Sequence, residues 1–138
     1  MYQEIKKLSN GVEIPVLALG TWFIDDDKVA EAVKSAVKLS YRHIDTAQAY
    51  GNEQGVGEGI HSCGVPREQI FVTSKVAAEY KTYEEAAASI DRSLANMGLD
   101  YIDMMIIHSP QPWDKVNQSE DRYVEGNRAA WRALELSL

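Results

Sequence analysis

Four residues with acid–base chemistry each follow, or lie just beyond, a short apolar run that predicts a β-strand. Asp45 ends one run, Lys75 follows the next, and His108 follows a third. Tyr50 lies in the polar loop between Asp45 and the helix predicted to begin at Glu53. Because the carboxyl ends of parallel strands meet on one side of the fold, we expect these four side chains to share one rim.

Each of the four residues also has a simpler structural interpretation. Asp45 could cap a helix, Tyr50 could pack beside the core, and Lys75 could be a solvated strand end. His108 could be a hydrogen-bonded rim histidine. Four such residues at the ends of successive predicted strands favour a functional site over four unrelated structural roles.

An acid, a phenol, an amine and an imidazole on one rim suit the reduction of a carbonyl group. A phenol ordinarily titrates near pH 10 and is a poor proton donor at neutral pH. A lysine ammonium about 4 Å away, at an effective dielectric near 20, favours the charged phenolate by roughly 4 kcal/mol. That charge would make Tyr50 a usable general acid, and Asp45 would hold Lys75 charged and oriented. His108 would donate to the carbonyl oxygen as hydride arrives.

Strands and helices alternate four times after an initial hairpin. The hairpin is predicted over residues 4–8 and 12–15, with a type I′ turn at Asn10-Gly11. Strands are predicted at 16–19, 43–46, 70–73 and 101–107, with helices starting near 25, 53, 82 and 119. The alternation is typical of a parallel α/β sheet, either doubly wound or half of a (β/α)8 TIM barrel. A doubly wound sheet would place the first parallel strand in the middle of the sheet, where a preceding hairpin would have no role. The hairpin therefore favours the barrel.

Several packing details are also predicted. The run 16–19 is expected to be buried on both faces, and the glycines 55, 57 and 59 are expected to allow close helix packing. A capping box at 82–85 should begin the third helix. The inward stripes of the last two helices are predicted to be Ala87, Ile90, Leu94 and Met97, and Tyr123, Asn127, Trp131, Leu134 and Leu138.

Size, composition and charge exclude several classes of function. The 138 residues are 45% hydrophobic and 25% charged, as expected of a single domain over 1–138. A net charge of −7 and a pI near 4.9 disfavour nucleic acid and anionic membrane as partners. No apolar stretch reaches the roughly 20 residues of a membrane span, and Cys63 with three histidines shows no metal-ligand spacing. A cytoplasmic protein without a metal is the expectation.

The segment from Ser40 to Gly57, SYRHIDTAQAYGNEQGVG, resembles the first signature of the aldo-keto reductases, GYRHIDTA followed after five residues by Glu. Ser40 stands where the family usually has Gly. The family's catalytic tetrad maps onto Asp45, Tyr50, Lys75 and His108. The resemblance implies an NADPH-dependent reductase of small carbonyl compounds, with the N-terminal hairpin closing the bottom of the barrel.

The same resemblance implies the binding residues. Gly20, Thr21, Trp22 and Asp45 would line the nicotinamide, and Trp22, His108 and Trp113 would line the substrate. The family often has Trp after the catalytic His, and Ser109 departs from that pattern.

The resemblance covers the first four βα units. Family members continue into strands five to eight, which carry most of the remaining cofactor-binding residues. The glycines at 55, 57 and 59 do not replace it, because their spacing and their helical position do not fit a dinucleotide loop. Two functions therefore stay open. One is an aldo-keto reductase; the other is an inactive half-barrel that lacks the cofactor-binding half and closes as a homodimer, strand four of one copy beside strand one of the other.

Overall fold

The computed structural model describes residues 4–138 and begins with an antiparallel hairpin, β1 (Ile5–Lys7) and β2 (Glu13–Pro15). The predicted type I′ turn is wrong, because only Gly11 of the turn has positive φ, at +88°. The Gly11 N–H instead bonds the Leu8 carbonyl, and the Asn10 side-chain oxygen accepts the Val12 N–H. The side chain of Asn10 thus supports the turn in place of a left-handed backbone.

Four parallel strands form the main sheet in simple chain order. They are β3 (Leu19–Gly20), β4 (His43–Asp45), β5 (Phe71–Val76) and β6 (Met104–Ile107). Each strand pairs in parallel with the next one along the chain. The predicted half-barrel, four parallel βα units after a hairpin, is confirmed. Strand one at an edge of the sheet excludes the doubly wound alternative.

Helices cover one face of this sheet, as right-handed βα crossovers require. They are α1 (Asp26–Lys38), α2 (Glu53–Ser62), α3 (Tyr83–Met97) and α4 (Val124–Glu135). The N-cap half of the capping box predicted for α3 is present, since the Thr82 hydroxyl accepts the Glu85 N–H at 3.2 Å. The Glu85 carboxylate bonds the Thr82 hydroxyl at 3.0 Å, whereas a full capping box would join it to the Thr82 backbone N–H. Gly98, at φ +62°, ends that helix in the left-handed conformation.

Two apolar clusters hold the helices to the sheet. The larger lies between α1, α2, the end of α3 and the outward faces of β4 and β5, and the smaller lies between α3, α4, the end of β5 and β6. The buried members of the larger are Val29, Val33, Val37, Ile44, Val56, Ile60, Ile70, Val72, Met97 and Leu99. Those of the smaller are Val76, Ala86, Ile90, Ala130, Ala133 and Leu134. With their outward side chains in these clusters, β4 and β5 have the alternate side chains free to build a site.

The first predicted strand differs most from expectation. It was expected to be buried on both faces, yet Val16 and Leu17 are 47% and 43% exposed, and only residues 19–20 pair with β4. Within residues 4–138, β3 has a strand neighbour on one side alone. An edge position therefore explains the exposure.

Two predicted elements begin later than expected. The strand predicted from residue 101 begins at Met104, because the Asp103 carboxylate accepts the Val72 N–H and bonds Arg67. The helix predicted near 119 begins at Val124, since Gln111 holds the carbonyls of 119 and 121 in an irregular loop. In both places a side chain takes a backbone group that regular strand or helix pairing would have used.

The predicted inward stripes of α3 and α4 are only partly right. The buried residues of α3 are Ala86, Ser89, Ile90, Ser93 and Met97, so its contact face is rotated toward two serines. On α4, Leu134 is buried beside Ala130 and Ala133, while Trp131 is 52% exposed. Small residues, which hydrophobicity patterns weight lightly, make the closest helix contacts.

Three glycines bring α2 against both neighbouring helices, as predicted. A Cβ on Gly55 would collide with the Asp26 carbonyl of α1, and a Cβ on Gly57 would collide with the backbone of Met97 in α3. A Cβ on Gly59 would lie 2.7 Å from the Cβ of Val33. The glycines are packing residues, and a bound phosphate would find no space there.

The Gly57→Ala variant should be destabilised, because its methyl group must push the α3 backbone away. We expect a loss of about 1–3 kcal/mol in the free energy of unfolding, measured by chemical denaturation. Gly20→Ala is the matched control, since a Cβ there meets nothing within 4 Å. Equal stability of the two variants would contradict the packing role of Gly57.

Across residues 4–138, none of the helices combines the length and the apolar character needed to cross a membrane.

Candidate active site

The ammonium of Lys75 is the centre of the predicted tetrad. It extends from β5, a strand whose six residues are all buried, and is itself 9% exposed. Its Nζ lies 2.8 Å from Asp45 Oδ2, 2.8 Å from the Thr46 carbonyl and 3.3 Å from the Tyr50 hydroxyl. An ammonium has three N–H donors, so these partners use all of them and fix its direction.

Tyr50 reaches Lys75 from a short 3₁₀ turn, Gln48–Tyr50, between β4 and α2. Gly51 ends this turn at φ +67°, a conformation that suits glycine, and α2 begins two residues later. The Tyr50 ring centroid is 4.9 Å from Lys75 Nζ and 5.6 Å from the ring of His108. The phenol therefore lies between the cation and the imidazole.

His108 follows β6 and is held to the sheet by its own N–H, which donates to Val76 at 3.1 Å. Its ring packs edge-on against both Tyr50 and Trp113, the latter with centroids 5.0 Å apart. Within the described chain its Nδ1 is buried and has no hydrogen-bond partner. Buried polar atoms without a hydrogen-bond partner are rare in folded proteins.

Burial is the main cause that lowers the pKa of His108 below its ordinary value of 6.5, and the positive charge of Lys75 lowers it further. The carboxylates of Asp45 and Glu79 oppose this shift. This shift favours the neutral imidazole at pH 7, in which one ring nitrogen is a donor and the other an acceptor.

A buried network behind the tetrad fixes its backbone. Thr21, fully buried, donates its hydroxyl and its N–H to the Asp45 carbonyl, both at 3.0 Å. Asn52, 1% exposed, donates to the carbonyls of Thr21 and Ile24 and accepts the Thr46 hydroxyl. Sequence reasoning missed Asn52 as more than a turn residue. In the sequence, Asn52 precedes a predicted helix and indicates only an N-cap. The structure shows that its side chain makes no capping bond, so this role of Asn52 is visible only in the structure.

The segment after β3 presents two aromatic rings to solvent. Trp22 is 65% exposed and Phe23, at φ +63°, is 86% exposed, with ring centroids 4.4 Å apart. Trp22 also faces the Tyr50 ring at 6.5 Å. Thr21 lies in the same segment, but its side chain is buried and donates to the Asp45 carbonyl. It therefore stabilises the backbone of the site and does not face solvent.

Trp113 lies beside His108 and is 48% exposed. The structure thus brings together Asp45, Tyr50, Lys75, His108, Trp22 and Trp113, all predicted site residues, at the carboxyl end of the sheet. Gly20 pairs in register with Asp45 at the same end.

The geometry describes a parallel βα half-barrel with a charged acid–base cluster on its carboxyl-terminal rim. The model of the aldo/keto reductase family matches residues 16–136. This chain belongs to the aldo/keto reductase family.

Two curated relatives show the degree of similarity. The chain is 44% identical to glyoxal reductase of Bacillus subtilis over 130 residues, which are 94% of this chain and 43% of that protein. It is 43% identical to aldehyde reductase YPR1 of Saccharomyces cerevisiae over 129 residues, 94% of this chain and 39% of that protein. The chain spans less than half the length of these relatives.

Solved structures agree in fold. An aldo/keto reductase from Brucella melitensis superposes with a TM-score of 0.85 at 39% identity, over 98% of this chain and 49% of that one. An aldo-keto reductase from Bombyx mori, solved in complex with NADP, gives 0.80 at 34% identity over 100% of this chain and 48% of that one. The chain corresponds to about half of each barrel.

The Lys75→Met variant should raise the pKa of His108, because it removes the positive charge that lowers it while Asp45 and Glu79 remain. The imidazole resonances can be followed by NMR against pH, with His108→Asn identifying the signal among the three histidines. Lys115→Met, which removes an exposed lysine outside the tetrad, is the control. A pKa that is unchanged or lower in Lys75→Met would contradict the coupling.

Proposed function

We propose that this protein reduces aldehydes or ketones to alcohols with NADPH, and that Tyr50 is the proton donor. The observation that carries the proposal is the position of the Lys75 ammonium, 2.8 Å from the Asp45 carboxylate and 3.3 Å from the Tyr50 hydroxyl. The names of the relatives, glyoxal reductase and aldehyde reductase, support the reaction class.

The atoms and electrons of the reaction balance with one proton and one hydride. The hydride that NADPH would supply, leaving NADP⁺, forms a bond to the carbonyl carbon, the C=O π electrons move to oxygen, and the Tyr50 O–H bond breaks as its proton passes to that oxygen. Lys75, held by Asp45, stabilises the tyrosinate that remains. The proton is then restored from solvent.

His108 orients the carbonyl oxygen beside Tyr50. As a neutral imidazole it donates one N–H, and the edge-on ring contacts with Tyr50 and Trp113 hold its plane. A fixed donor near the developing negative charge lowers the barrier without reorganisation. A protonated imidazole would compete for the role of acid, and the lowered pKa of His108 prevents this at neutral pH.

The reactive end of a nicotinamide would lie against the open face next to the tetrad. Gly20, Trp22 and Asp45 border this face, Trp22 offers an exposed ring, and nothing lies within 4 Å of a Cβ built on Gly20. NADPH, when bound, supplies the hydride. The NADP complex of the Bombyx mori neighbour supports this cofactor.

The substrate is a small carbonyl compound between two exposed aromatic side chains. Trp22 and Trp113 flank Tyr50 and His108, and large aromatic faces bind apolar substituents through buried area more than through hydrogen bonds. Orientation then depends on the carbonyl oxygen alone, which allows varied side groups.

Tyr50→Phe should lower kcat at least about 100-fold, because it removes the proton donor and keeps the ring. Turnover is measured as NADPH consumption with a small aldehyde, and circular dichroism checks the fold. Tyr101→Phe is the matched control, since that tyrosine lies before β6 and stacks on Arg67, away from the rim. Unchanged turnover in Tyr50→Phe would overturn the assignment of the acid.

The second candidate is a half-barrel that is inactive alone and pairs with a second copy. The observation in its favour is the open sheet: in the described residues β3 and β6 are both edges, and Ile106 on β6 is 38% exposed. Open edges and apolar exposure are liabilities that pairing would remove. A two-fold axis along the barrel would set β6 of one copy parallel to β3 of the other.

Light scattering and NADPH fluorescence titration on the same 138-residue sample separate the two candidates. A rebuilt barrel predicts twice the chain mass of 15.4 kDa together with saturable cofactor binding. A strict monomer would exclude the homodimer. A dimer without binding at millimolar NADPH would mean that the tetrad is not functional in this chain by itself.

A further inference from the structure

The side-chain amide of Gln48 links three elements next to the tetrad. Its Oε1 accepts the Ala77 N–H at 2.8 Å, at the end of β5. Its Nε2 donates to the Ser89 carbonyl at 3.1 Å and to the Ser93 hydroxyl at 3.0 Å, both on α3. Gln48 therefore joins the turn that carries Tyr50 to the strand that carries Lys75 and to the helix behind them.

The partners on α3 explain an unusual feature of that helix. Ser89 and Ser93 are 1% and 0% exposed and lie one helical turn apart on the buried face of α3, outside the predicted apolar stripe. Burying a hydroxyl without a hydrogen bond costs free energy, so such positions need partners. The Ser93 hydroxyl accepts from the amide of Gln48, and the Ser89 hydroxyl donates to the Ala86 carbonyl. The backbone carbonyl of Ser89 also accepts from the Gln48 amide.

The turn has few hydrogen bonds of its own to hold Tyr50. Its backbone bonds are Tyr50 N–H to Ala47 at 3.0 Å and Gly51 N–H to Gln48 at 3.4 Å. A single 3₁₀ turn with such bonds is weak by itself. The side chain of Gln48, two residues before Tyr50, adds three further bonds to it.

The other end of the link is equally close to the chemistry. Ala77 is two residues beyond Lys75, just past the last residue of β5. The side-chain amide of Gln48 thus holds the turn that carries Tyr50 against the strand that carries Lys75. The distance between Tyr50 Oη and Lys75 Nζ, 3.3 Å, is at the long end for a hydrogen bond, so a small shift of the turn breaks the contact.

We propose that Gln48 is a positioning residue, which holds the Tyr50 hydroxyl within reach of Lys75 through the Gln48–Ala77 and Gln48–Ser93 hydrogen bonds. This role rests on the proposed reductase function. Both polar atoms of the Gln48 amide are already bonded to Ala77, Ser89 and Ser93, so in this proposal Gln48 acts by placing Tyr50.

The test compares Gln48→Met with Gln54→Met in NADPH-dependent aldehyde reduction. Methionine keeps the length of the side chain and removes its hydrogen bonds, and Gln54 is an exposed residue of α2. We expect a fall in kcat of about 10- to 100-fold for Gln48→Met, with an unchanged KM for NADPH, as expected of a misplaced catalytic group. Gln54→Met should match the wild type.

Two further readouts distinguish positioning from a merely structural role. A misaligned proton donor makes proton transfer limit the rate, so the D₂O solvent isotope effect on kcat should increase in Gln48→Met. Ser93→Ala, which removes one of the three bonds, should show the same changes to a smaller extent and serves if Gln48→Met does not fold. A lower melting temperature with unchanged kcat and unchanged isotope effect in either variant would overturn the proposal.

Hydrogen exchange separates this proposal from the proposed function. The Ala77 amide should exchange faster in Gln48→Met than in the wild type, while amides of α1 stay unchanged. If the wild type shows no NADPH-dependent reduction, the reductase function and the positioning role both fail, and faster exchange at Ala77 then identifies a structural link alone. An active wild type whose kcat is unaffected by Gln48→Met rejects Gln48 while the reductase function stands.

Discussion

The buried charge of Lys75 is the constraint on which the rest of the rim depends. A lysine on a strand with six buried residues carries a large desolvation cost unless acceptors surround it. No acceptor comes from β5 itself. Asp45, Thr46 and Tyr50 all come from β4 and the loop after it. The pairing of β4 with β5 is therefore both a structural and an electrostatic requirement, and removing one partner would leave a charge in a place built for an ion pair.

The supporting residues follow from that requirement. The Thr46 carbonyl can accept Lys75 only if the chain turns away from the sheet just after β4, and Asn52 fixes this turn by bonding Thr46, Thr21 and Ile24. Those three bonds also attach the segment after β3, which carries Trp22. One buried amide thus connects the residue that faces the proposed substrate with the loop that holds the ammonium. On the other side of Tyr50, the side-chain amide of Gln48 connects the turn that carries Tyr50 with α3.

The elements and the tetrad could be predicted from the sequence because both depend on local patterns. Apolar runs, helix caps and polar residues at strand ends are read along the chain, and the parallel order then places Asp45, Lys75 and His108 together. The supporting contacts could not be predicted in this way. Gln48 meets Ser93 across 45 positions, and a buried serine looks like a surface residue in a hydrophobicity pattern. The exposure of Val16 and Leu17 could not be predicted either, because it depends on whether the strand has a neighbour on both sides, and that is a property of the sheet.

The open side of the sheet affects the electrostatics of the tetrad, because access of water raises the effective dielectric around it. A lysine and a tyrosinate about 4 Å apart attract by roughly 4 kcal/mol at an effective dielectric of 20, but by only about 1 kcal/mol in bulk water. The hydrogen bonds of Lys75 are set by β4, by β5 and by the loop that follows β4, whereas the exclusion of water depends on what covers Ile106 and the edge beyond it. Geometry and dielectric are thus supplied by different parts of a barrel. A half-barrel can therefore hold Asp45, Tyr50, Lys75 and His108 in place and still give the Lys75–Tyr50 pair a weaker attraction than a site closed to water would.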